Sequence, residues 1–165
     1  MGIIKLGFIS LIVFALLITG ISLFIPSHIR ISKATDISAN KDSVMQQIAD
    51  AANWRKWYPG ADTSAFYREA NKIKGIITGD KQALIIKETN DSAVLTVNAG
   101  PNSKRGESGW NIFSGSTPNI VTVQWFMDFH LRWYPWEKFS SLLLEKRYGP
   151  MMENGLQKLK GLLEN

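Results

Sequence analysis

Two residues near the end of the chain have the chemistry of a proton-transfer pair. Asp128 and His130 stand two apart in VTVQWFMDFHL, so in an extended strand they share one face, and a carboxylate beside an imidazole suits general-base work. The same alternation weighs against them. Val121, Val123, Trp125, Met127, Phe129 and Leu131 form an apolar row on the opposite face, and that row is the one that must point inward. Asp128 and His130, with Thr122 and Gln124, are therefore assigned to a solvated outer face, interrupted only by Phe126. Glu88, Glu107 and Arg105 sit where strand ends or a long loop could border a cavity mouth, but ordinary surface charge is the expected reading of all three. GESG at 106–109 lacks the spacing and the following helix of a phosphate loop. His28 lies far along the chain from His130, and there is no cysteine, so no metal set is expected and no catalytic residue is assigned.

The elements that must position these residues follow from periodicity. Leu6 to Ile25 runs twenty residues without a charge, about 30 Å of helix, which matches the hydrocarbon thickness of a bilayer. Residues 3–26 are expected to be a transmembrane anchor with the lipid bilayer as its partner. A cleaved signal peptide fits less well, because LFIPSHI follows where a small-x-small site belongs. Arg30, Lys33 and Lys41 beyond the span outnumber Lys5 before it, a lean toward a cytoplasmic domain, with an exported domain as the open alternative.

Residues 28–165 then form one soluble domain. Net charge is +5, from 19 Lys and Arg against 14 Asp and Glu, without a basic block, so no nucleic-acid partner is expected. IRISKATDIS reads as a strand. Ser38 or Asn40 caps a short helix carrying Val44, Met45, Ile48 and Ala49, and a second short helix around Trp54 and Trp57 is stopped by Pro59-Gly60. AFYR, IKGIIT, QALIIKE, AVLTV, SGWNIF and IVTVQWFMDFHL, joined by turn residues, continue an antiparallel meander to seven strands. Tyr148, Met152, Leu156, Leu159 and Leu163 then recur at helical spacing, with Gly149-Pro150 predicting a kink or a fresh helix start.

IADAANWRKWYP at 48–59 and the closing strand with WYPWEKF at 133–139 make this order resemble the START and birch-pollen-allergen (SRPBCC) superfamily, in particular its polyketide cyclase/dehydrase-like members. The resemblance covers about residues 28–163. It implies an α+β helix-grip fold: a seven-stranded antiparallel curved sheet around a long C-terminal helix, two short helices after the first strand, and here one transmembrane helix in front. In that superfamily the space between sheet and helix holds lipids, sterols or polyketides in different members, or is nearly filled. The expected function is binding of a hydrophobic small molecule or lipid, without a cofactor. Trp110, Val123, Trp125, Met127, Phe129, Tyr148, Met152 and Leu156 are the expected cavity wall. A cyclase, dehydrase or hydrolase acting on a hydrophobic substrate is the alternative, and it would require an inward-facing acid or base. A protein-binding role, marked by an exposed apolar patch away from the cavity, is the third reading. For Trp133, Tyr134 and Trp136 packing is expected ahead of the alternative, a membrane-interface belt.

Overall fold

The computed structural model describes residues 2–79, 82–100, 106–115, 117 and 119–164. Helix α1 (Gly2–Ser22) is long and apolar enough to cross a membrane, and its side chains are buried only at Ser22, at its C-terminal end. The chain then forms β1 (His28–Ile37), α2 (Lys41–Ala49), a 3₁₀ turn (Asn53–Lys56), and strands β2 (Phe66–Glu69), β3 (Lys72–Gly79), β4 (Gln82–Asn90), β5 (Ala93–Ala99), β6 (Gly106–Ser114) and β7 (Val121–His130). Helices α3 (Pro135–Ser141) and α4 (Leu144–Leu163) close it. The seven strands make one antiparallel sheet in the order β1-β7-β6-β5-β4-β3-β2, a meander whose first strand returns beside its last. Such an arrangement, with a long C-terminal helix on one face, is a helix-grip α+β fold.

Register decides which side chains meet. Ile31 pairs with Met127, Lys33 with Trp125 and Thr35 with Val123, while Trp110 pairs with Trp125 and with Val94 on its other side. The inner face is therefore the row containing Val123, Trp125 and Trp110, all fully buried. Helix α4 lies chiefly along β1 and adds Met152, Leu156 and Leu159 to the same core. Gly155 permits this approach: a Cβ there would stand 2.7 Å from Cζ3 of Trp125 and 2.9 Å from Cδ of Pro59. Lys33 occupies the inner row at the sheet edge and is neutralised from above by Glu145 at 2.8 Å and Glu153 at 2.9 Å. Those two carboxylates hold its ammonium pKa well above the ordinary lysine value.

The IADAANWRKWYP segment is explained by the end of a helix. The last turn of α2 leaves carbonyls without intrahelical donors. Trp54 Nε1 donates to the Ile48 carbonyl at 2.8 Å and Trp57 Nε1 to the Gln47 carbonyl at 3.2 Å, so two indoles close α2 while their rings turn into the core. Asn40 caps the other end, its side chain accepting from the Ser43 amide at 2.7 Å.

The second short helix is present as a 3₁₀ helix of four residues, Asn53–Lys56. One expectation is corrected. The break predicted at Gly149-Pro150 lies instead at Leu142–Leu143, between α3 and α4, and Pro150 is carried inside α4. A proline within the first two turns removes one amide donor from a helix whose buried face is set by Met152, Leu156 and Leu159, and that packing outweighs the loss.

Candidate functional site

The interior of the grip divides into a filled half and an open half. Trp54, Trp57, Tyr58, Trp110 and Trp125 form one aromatic cluster over β6 and β7, with ring centroids 5.4 Å apart for Trp110 and Trp125, 5.1 Å for Tyr58 and Trp125, and 5.6 Å for Trp57 and Trp110. Burial pushes the Tyr58 phenol pKa up. Beside the cluster, Thr96 Oγ1 donates to the Ser108 carbonyl at 2.9 Å, which satisfies a buried hydroxyl on the same face.

Beyond the aromatics, toward the end of β7 that leads into α3, the sheet and helix part. A cavity of about 690 Å³ lies there, walled by Phe129 and Leu131 from β7 and its exit, Leu143, Leu144 and Tyr148 from the α3–α4 turn and α4, with His130, Lys146 and Arg147 supplying its charged or ionisable groups. The Phe129 and Tyr148 rings meet at its edge, centroids 5.2 Å apart and planes tilted by 37°. A second space of about 410 Å³ adjoins it and shares Gly106, Phe129 and Tyr148. This one is more polar, with Gln82, Asn98 and Ser108 beside Met127 and Met151.

The expected wall residues thus fall into two groups. Met127, Phe129 and Tyr148 line the open spaces. Trp110, Val123, Trp125, Met152 and Leu156 lie in the packed core and border neither. Periodicity places seven of the eight, all but Trp110, on inward faces; it carries no information on how far the tryptophans fill the space between those faces. Leu143, Leu144, Lys146 and Arg147 were missed as cavity residues because they sit at a helix break, where a helical period offers no facing. The signal available was the cluster LLLEKRY, three leucines followed, after Glu145, by two cations.

Asp128 is on the outer row, as alternation requires, but it is not solvated: it is 5% exposed. Arg30 Nε donates to its Oδ1 at 2.8 Å and Arg30 Nη2 to its Oδ2 at 2.6 Å, a bidentate pair across β1 and β7. The same guanidinium covers the Phe126 ring at 4.6 Å. His28 Nε2 approaches Asp128 Oδ1 at 3.3 Å, and the His28 and His130 rings stack at 4.7 Å. Register caused this: Arg30 faces Asp128 and His28 faces His130, a pairing invisible until β1 is known to neighbour β7.

The Arg30 hydrogen bonds hold the Asp128 carboxyl below the ordinary aspartate pKa. A depressed native pKa stabilises the fold fully above the unfolded-state value of about 4, and the contribution is lost as pH falls through the native value. Asp128→Asn is therefore expected to cost about 1.5–3 kcal/mol at pH 7, with the difference from wild type closing below about pH 4 in thermal melts. A gap that persists unchanged to pH 2 would contradict the assignment.

Glu88 is exposed. Glu107 is half-exposed and bound to Lys87 at 2.9 Å. Arg105 lies outside the described residues. Among the described residues no group of His, Asp and Glu has the arrangement of a metal site.

No family profile matches the chain, and no curated protein is similar to it in sequence. Solved structures are similar in fold. A START superfamily protein from Mycobacterium smegmatis aligns over 82% of this chain and 97% of its own, with a TM-score of 0.63 at 14% identity. The di-domain ARO/CYC StfQ from the steffimycin biosynthetic pathway aligns over 83% of this chain and 51% of its own, with a TM-score of 0.63 at 8% identity. The Aha1 dimer protein from Colwellia psychrerythraea aligns at 0.54 and 16% identity, over 82% and 96%. The chain has a START/SRPBCC-like fold.

Proposed function

We propose that this chain is a membrane-anchored binding protein for a hydrophobic small molecule or lipid, held in the cavity between the end of β7 and the start of α4. The observation that carries this reading is the 690 Å³ space walled by Phe129, Leu131, Leu143, Leu144 and Tyr148. Ligand pockets of a few hundred cubic ångströms, largely apolar with few polar groups, are the ordinary form of small-molecule sites. Burial of the apolar body supplies the affinity. His130, Lys146 and Arg147 suit an anionic or strongly polar end, so an amphipathic ligand fits the lining better than a pure hydrocarbon.

The enzymatic alternative draws on the similarity to an ARO/CYC protein. It asks for an acid or base directed at bound substrate. Among the described residues, the two carboxylates bordering the open spaces, Glu107 and Asp128, are engaged by Lys87 and Arg30, and they stand on the outer row of the sheet. Binding without catalysis is the simpler reading of that arrangement.

Leu144→Trp places a larger ring in the cavity and is expected to weaken binding of a fluorescent long-chain fatty acid at least about tenfold while changing stability by less than about 1.5 kcal/mol. Fluorescence titration and urea denaturation of the same preparations measure both. Unaltered affinity in a folded Leu144→Trp protein would remove the cavity from consideration.

A further inference from the structure

From residue 28 onward, eight large apolar side chains among the described residues are exposed, and five of them lie in one short stretch: Trp133, Trp136, Phe139, Leu142 and Leu143. Trp133, Trp136, Leu142 and Leu143 are each about two-thirds exposed. The remaining three, Ile77, Phe113 and Leu162, are scattered singly, as is ordinary for a soluble surface. A concentrated patch marks a contact.

The position of α3 identifies what it contacts. Lys138, itself buried, donates from Nζ to the Ile25 carbonyl at 2.6 Å and to Ser27 Oγ at 2.7 Å, which ties α3 to the chain immediately leaving α1. Ser22 is buried where α1 and α3 meet. Leu23 and Phe24, at the end of α1, are strongly exposed and continue the apolar surface from the candidate span toward α3. Arg132, Lys146 and Arg147 are exposed on either side of the patch. Tryptophan at the headgroup level, aliphatic side chains below it and cations beside phosphates is the arrangement of an interfacial membrane segment.

We infer that α3 and the α3–α4 turn lie in the lipid interface beside the span, with Trp136, Leu142 and Leu143 inserted and the mouth of the cavity at Leu143 and Leu144 turned toward the bilayer. This rests on reading α1 as a membrane anchor and deepens the proposed function: the ligand reaches its cavity from the membrane without crossing water. The occupant of the patch is the lipid surface.

The chain contains no cysteine, so single labels are unique. The full chain is reconstituted into phosphatidylcholine vesicles containing phosphatidylglycerol, with a spin label at Phe14→Cys, Trp136→Cys, Leu142→Cys or Asp91→Cys. Asp91 lies in the exposed turn between β4 and β5. Relaxation by oxygen and by an aqueous nickel chelate gives each depth. The expected result is hydrocarbon for 14, interface for 136 and 142, and water for 91. Native protein gives a second readout: lipids brominated near the headgroup should remove about a third of the tryptophan emission, two of six residues, and this loss should vanish in Trp133→Phe/Trp136→Phe. Labels at 136 and 142 in water, with 14 in hydrocarbon, would overturn the docking and leave the anchor standing. A label at 14 in water would overturn both. Labels at 136 and 142 shielded from oxygen and nickel alike would mean that protein covers the patch, which also overturns the inference. Failure of fatty-acid binding would leave these depths unchanged and would count only against the cavity reading.

Discussion

Trp125→Ala is expected to destabilise the domain by about 3–5 kcal/mol, a large part of the roughly 5–15 kcal/mol that holds a domain of this kind folded. The ring is completely buried and touches three other aromatics, Trp57, Tyr58 and Trp110, while Gly155 of α4 packs against its edge. Its removal leaves a void that neither the sheet nor the helix can close, because both are held elsewhere, β7 by its neighbours and α4 by Lys33. The indole N–H has no protein acceptor among the described residues, so no hydrogen bond is lost with it. Trp125→Phe should consequently cost less than half as much. Urea denaturation followed by circular dichroism measures both; a loss under about 1 kcal/mol for Trp125→Ala would show that the aromatic half of the grip is loosely packed.

The second large effect has an unexpected sign. In an exposed helix interior, Gly→Ala gains up to about 1 kcal/mol. Gly155→Ala is expected instead to lose about 1–3 kcal/mol, since the new methyl meets a rigid indole at 2.7 Å and a proline ring at 2.9 Å, and neither is a flexible chain end. Gly161→Ala, one and a half turns further along the same helix, meets nothing within 4 Å and should gain about 0.5–1 kcal/mol. Opposite signs at two glycines of one helix would establish that α4 is seated on Trp125 and Pro59. Equal gains at both would place the helix further from the sheet.

Much of this architecture is written in local pattern. The alternation of Val121, Val123 and Trp125 gave β7 and its inner face, and the steps between Met152, Leu156 and Leu159 gave the buried side of α4. What local pattern lacks is pairing. Asp128 reads as a solvated carboxylate until β1 is laid beside β7 and Arg30 is brought across to it. Lys33 reads as one more surface lysine until α4 crosses β1 with Glu145 and Glu153 overhead. The cavity is harder still, because it is a difference between two volumes. The tryptophans recognised as packing residues fill one half of the grip, and the helix break at Leu142–Leu143 leaves the other half open. Pro150 pointed to a break about two turns too late, since the proline lies early in α4, where packing holds the helix together.

The positions of the two halves also give a division of labour. The aromatic half fixes the spacing of sheet and helix, and the open half lies between Phe129 and Leu131 at the end of β7 and Leu144 and Tyr148 of α4. A rigid frame of this sort favours a ligand of defined width over any apolar solute, because walls held by core packing do not collapse onto a thinner one.

The central claim is that this open half holds an apolar ligand, and photo-crosslinking tests it most directly. The full chain in vesicles is irradiated with a long-chain fatty acid carrying a photoreactive group at its methyl end, and the modified residues are mapped by peptide mass spectrometry. Modification of Phe129, Leu131, Leu144 or Tyr148, abolished by excess unlabelled fatty acid and in Leu144→Trp, is the predicted result. Modification confined to residues 2–25 and to the exposed side chains of 133–142, with the cavity walls untouched, would contradict it.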